Sequence, residues 1–236
     1  MSNPVATQRT AARTAGIAIL LVLVTGVFAQ IFVFMRLPAD DAANTARNIL
    51  AHETLFRYGI ASALVSSLCG IVAIWALYVL LKPFRESFAL LAVLFQFTGS
   101  IVFSSTIRDY FLALHLLRAE SFLAPFTTMQ LQSAAQLLFA HDDGLRISLV
   151  FSGLGALIFN WLLFQSRYIP RVISGYAVFA DAFVILSCFS LFVAPGSVRI
   201  LFPWFPLANF LAMLSLGLWL IIKGAAIYPQ SVEVIA

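Results

Sequence analysis

Three histidines, His52, His115 and His141, each stand near a carboxylate: Glu53, Asp109, and the neighbours Asp142 and Asp143. Neutral imidazole with carboxylate oxygen is a suitable donor set for zinc or iron, and three segments can in principle converge on one ion. No two of these histidines have the i, i+4 spacing that lets one helix offer two ligands, so no metal centre is expected. What the cluster offers instead is a candidate catalytic set at one membrane face, His141, Asp142, His115 and Arg57. A structural role competes with it: Asp142 or Asp143 precedes a long apolar run, where an N-cap carboxylate accepts from orphan backbone N–H groups and meets the positive end of the helix dipole.

Asp181 has a different setting. It lies within "VFADAFVIL", a carboxylate with apolar residues on both sides. Such a group costs about 3 kcal/mol or more at the bilayer centre unless it is protonated or paired. Counted at about 1.5 Å per residue, Asp181 falls near mid-depth of its segment, and Gln96, Asn160, Ser67, Cys69 and Asn209 fall at similar depths on theirs. Asp181, Gln96, Asn160, Ser67 and Asn209 are therefore the candidate ligand-binding residues. The layer is read either as a binding or proton-handling cavity, or as a hydrogen-bonded knot between helices.

These residues need elements to hold them, and composition states what kind. Of the 236 residues 62% are hydrophobic and 10% charged, with mean hydropathy +0.99. No soluble domain of this length can bury so much apolar surface, so an all-α polytopic membrane bundle is expected. A net charge of +4 would point to nucleic acid in a soluble chain, but here basic residues punctuate apolar runs, as orientation signals do. No nucleic-acid partner is expected. Cys69 and Cys188 both sit in apolar runs and form no disulfide framework or metal motif.

Distances between charges predict six transmembrane helices, at about 14–36, 58–82, 87–112, 145–166, 172–194 and 201–223, in one domain covering 1–236. The first is too long for a signal-peptide core, so an uncleaved helix is expected. "KPFRE" and "RYIPR" supply tight turns. Short amphipathic helices are expected in the outer connections: "DDAANTARNILAHE", capped by Asp40 or Asp41, and the uncharged 122–140, lying along the interface. Basic residues crowd the two short turns, whereas those on the other side are spread over long connections. That density places both termini in the cytoplasm.

Two helical faces carry further signals. Ser100, Ser104, Arg108 and His115 share a face of the third segment, read as an outer-face stripe whose arginine snorkels to headgroups. Ser148, Ser152, Ala156 and Asn160 form a small-residue face beside Gly155, on which a neighbouring backbone can approach closely.

Read together, "NILAHETLFRYGI", "HDDGLRISLVFSGLG", "RYIPR" and "LWLIIKG" resemble a family of bacterial integral membrane proteins, domain of unknown function family 4386. The matching residues include Glu53, Leu55, Phe56 and Arg57; His141, Asp142 and Gly144; Tyr168 to Arg171; and Trp219, Lys223 and Gly224. The resemblance implies a multi-pass protein of the bacterial cytoplasmic membrane and names no reaction or cofactor. It also implies charge near Met213, Gln96 and Thr98, where this chain is neutral. The expectation is a noncatalytic protein that binds a small or lipid-like ligand, or supports a membrane complex. The alternatives are an outer-face enzyme and a small proton-coupled carrier using Asp181.

Overall fold

The computed structural model describes residues 4–39, 41–118, 125–140, 143–194 and 204–227. Seven α-helices carry these residues: α1 (Pro4–Val27), α2 (Ala42–Ala51), α3 (Glu53–Leu117), α4 (Thr128–Ala140), α5 (Asp143–Ser166), α6 (Arg171–Val193) and α7 (Trp204–Ile222). No strand occurs among the described residues. Five helices are long and apolar enough to cross a membrane. Trp75, Phe179, Leu186 and Phe189 stand exposed on their outer surfaces. Water does not tolerate such a continuous apolar exterior, but hydrocarbon does.

Sequence spacing separates 58–82 from 87–112; the structure joins them in the 65-residue α3 and breaks it at Arg85, whose φ of −151° and ψ of 89° are not helical. Pro83 removes one backbone donor just before the break, so the ladder is weakest there. The arms 53–84 and 86–117 then fold back on each other. Ser67 Oγ lies 3.3 Å from Ser104 Oγ, and Phe56 packs edge-on to Tyr110. Pairs that close symmetrically about Arg85 are the signature of an antiparallel hairpin.

Six rods result, and each packs on its neighbour in chain order. Ser62 and Ser66 of the first arm donate to Thr25 O and Val22 O of α1. Gly99 of the second arm lies against the Ser148 and Ser152 backbone of α5. α6 packs on α5, and Tyr176 Oη donates to Ala208 O of α7. At Gly16 and Gly217, α7 meets α1, where an added Cβ on Gly16 would lie 2.8 Å from Gly217 O. The rods therefore form a closed ring.

Both ends of the described chain lie at one end of this ring. Gln8 Nε2 donates to Leu80 O, the Ala226 N–H donates to Tyr168 O, and the Phe84 and Tyr168 rings are 6.4 Å apart. An apolar cluster that includes Ala12, Ile74, Leu80, Leu163 and Leu220 fills the same end. A second cluster around Val33, Phe56, Ile60 and Tyr110 packs the other end where the α1 rod and the two arms of α3 meet α2 and α4.

That second end carries features invisible to hydropathy. The rod of α1 continues as a π-helix over Phe28–Phe34, and Val33 is seated so closely on Gly59 that a Cβ there would be 2.6 Å from its Cγ1. α4 starts at Thr128, after the non-helical 125–127. Thr127 and Gln130 form a capping box, with the Thr127 N–H donating to Gln130 Oε1 at 2.8 Å and the Gln130 N–H to Thr127 Oγ1 at 3.3 Å. Gln136 Nε2 donates to Ala39 O and ties α4 down.

α2 is capped by Asp41, as the sequence allows. Its Oδ1 accepts the Asn44 N–H at 2.8 Å, and that bond, helped by the Asn44 side chain, holds the carboxyl below the usual carboxylate range. A lowered carboxylate contributes fully above the ordinary aspartate range and loses its contribution as pH falls through its own pKa. Asp41→Ala is expected to speed amide hydrogen exchange in the first turn of α2, and wild type should approach the variant's rate, compared at the same pH, only once pH falls below the ordinary aspartate range to the lowered pKa of Asp41. Unchanged exchange in the variant would remove the cap from the account of this helix.

Candidate ligand-binding cavity

Between the two apolar clusters lies a cavity of about 340 Å³. Its wall takes residues from all six rods, Ile19 of α1 and Ser66, Gln96, Asn160, Asp181 and Asn209 among them. Along α5 it runs from Leu145, in the first turn, to Asn160, about 22 Å deeper at the helical rise. Apolar side chains such as Ile74, Leu149, Phe159 and Leu216 make most of the surface.

The polar centre is a pair. Asn160 Nδ2 donates to Asp181 Oδ2 at 2.7 Å, and the residues are 7% and 5% exposed. Asp181 reaches this position because α5 and α6 run antiparallel from the Arg167–Pro170 turn. Gly153, about two turns along α5 from Asn160, admits Ile185 of α6, where an added Cβ would be 2.9 Å from Ile185 Cγ1. No second donor to Asp181 occurs among the described residues. The Asn160 carbonyl oxygen is buried without a partner, since its amide faces the carboxylate with its N–H.

Three hydroxyl hydrogens on the cavity wall are already spent. Ser66 donates to Val22 O, Ser100 to Gln96 O and Ser152 to Ser148 O. Each hydroxyl then turns only lone pairs outward. Asn209 Nδ2 makes a long contact of 3.7 Å with Met213 Sδ.

All five candidate ligand-binding residues, Asp181, Gln96, Asn160, Ser67 and Asn209, line this one cavity. Cys69 is not among its lining residues. Gln96 and Met213, two positions where the resemblance implies charge, also line it. Ser66 escaped the sequence reading because its role depends on a carbonyl of α1. The small-residue face of α5 divides its work: Ser148 and Ser152 meet Gly99, whereas Asn160 meets Asp181.

The outer stripe is split. Ser100, Ser104 and Arg108 line a shallow groove with Phe97 and Ile101, and His115 lies beyond it, exposed in the last turn of α3. Arg108 Nη2 is 3.1 Å from Asp109 Oδ1. Of the candidate catalytic set, Arg57 Nε pairs with Glu53 Oε1 at 2.8 Å, and Arg118 approaches the same oxygen at 3.8 Å. His141 and Asp142 lie outside the described residues. Among the described residues no group of histidine, cysteine and carboxylate side chains is arranged to hold a metal ion.

A family model described as a domain of unknown function (DUF4386) matches residues 14–224, which include the whole cavity wall. No curated protein and no solved structure matches the chain.

Proposed function

The chain belongs to the DUF4386 family, and from that premise we propose that it is a noncatalytic, six-span protein of the bacterial cytoplasmic membrane that binds a small amphipathic ligand in its cavity. In this reading each arm of α3 crosses the bilayer, because a 65-residue helix would measure about 98 Å against a core of about 30 Å. Both termini are cytoplasmic, with Lys82, Arg85, Arg167, Arg171 and Lys223 at their end of the ring. α2 and α4 lie at the opposite interface.

The observation that carries the binding role is the Asp181–Asn160 pair on the wall of a largely apolar cavity. Small-molecule sites have this form: a volume of about 300–1,000 Å³, apolar walls and a few convergent polar groups that fix orientation. A knot serving only to join two helices needs no space beside it. Native mass spectrometry of the detergent-solubilised protein should show an added mass on wild type that is depleted in Asp181→Asn, while size-exclusion profile and thermal midpoint stay close. Equal occupancy of both proteins, or a variant that fails to fold while Asn160→Ala retains the mass, would return the pair to a purely structural role.

A further inference from the structure

Resting on the cavity reading, we propose that the ligand is a cationic amphiphile: a protonated primary or secondary amine on an apolar body, with its N–H groups donating to the Asp181 carboxylate. Asp181 is the one ionisable side chain on the cavity wall among the described residues, with no lysine, arginine or histidine beside it. An anionic ligand would put two like charges together in low dielectric, and a neutral one would compensate the carboxylate only where a proton had already neutralised it.

The hydrogen-bond inventory points the same way. The hydrogens of Ser66, Ser100 and Ser152 go to helix carbonyls. The Asn160 N–H goes to Asp181, and its carbonyl has no partner. At the Asp181–Asn160 pair itself, carboxylate and amide oxygens keep unfilled lone pairs, and the group that balances them brings donors and positive charge together. An ammonium does both, and is an acceptor of nothing. The remaining wall, from Leu149 and Phe159 to Ile74 and Leu216, suits a short hydrocarbon body.

Chain-matched probes test this on the intact protein in detergent at pH 7.5: octylamine, 1-octanol and octanoate, titrated by native mass spectrometry. Octylamine is expected to bind one to one, at least about tenfold tighter than octanol, since a charge-assisted bond replaces a neutral one. Octanoate should not compete with it, and Asp181→Asn should bring amine and alcohol within about threefold. Equal binding of amine and alcohol to wild type would overturn the amine and leave the cavity reading intact. Displacement of octylamine by sodium chloride but not by choline chloride would overturn it too, assigning the carboxylate to an inorganic cation. Binding of none of the three probes would overturn both readings.

Discussion

A single methyl group added at Gly155 is expected to destabilise the protein by about 1–3 kcal/mol. The Cβ of Gly155→Ala would lie 2.5 Å from Gln96 Cγ, 2.7 Å from Ala92 O and 2.8 Å from Gln96 N. A flexible side chain can retreat from such a contact, but two of these atoms are backbone. Relief requires α5 and the second arm of α3 to separate, and that unseats Gly99 from Ser148 and Ser152 as well. Helix propensity favours alanine by only about 1 kcal/mol, too little to offset the loss. Gly175→Ala is the matched control, because its Cβ would meet only the Phe164 ring at 3.5 Å, an ordinary contact. Thermal or SDS-induced unfolding should show a lower midpoint for Gly155→Ala and an equal or higher one for Gly175→Ala. Coincident curves for the two variants would mean that this crossing is looser than its geometry.

Asn160→Leu should cost about 2–3 kcal/mol, because it leaves the buried Asp181 without its donor among the described residues. Asp181→Leu removes the charge itself and should cost less, about 1–2 kcal/mol, for the amide left behind. The double variant should then be more stable than the sum of the two predicts, by roughly 1–2 kcal/mol of coupling. Strict additivity in a double-mutant cycle would deny that the 2.7 Å contact matters to folding. A double variant as stable as wild type would be the more informative result, since it would leave the pair with no structural reason to exist.

The polar layer was legible in the sequence for a simple reason. Apolar runs have few polar residues, and depth along a helix can be counted, so the sequence alone places Asp181, Asn160, Gln96, Ser67 and Asn209 at similar depths. Helix ends were less legible. The expected spans end at charges such as Arg13, Arg57 and Arg108, yet α1 begins at Pro4 and α3 extends from Glu53 to Leu117. Backbone hydrogen bonding does not stop at the interface, and long cationic side chains reach it from either side. The π-helix over Phe28–Phe34 left no pattern in composition, because its fit to Gly59 is a tertiary matter. The capping box at Thr127 and Gln130 is a readable pattern, but in an uncharged segment such as 122–140 no charge marks where the helix begins.

The contact of Gly16 with Gly217 completes the ring, so every rod has a packed neighbour on both sides. A molecule inside cannot diffuse out through a standing gap between first and last helices. In the proposed binding role its route in or out lies along the ring axis or between rods that part. For a ligand that leaves by the second route, the opening rate of the protein would set exchange as much as the contacts at Asp181 do. Its residence time should then follow the stability of the weakest crossing, even where its affinity does not.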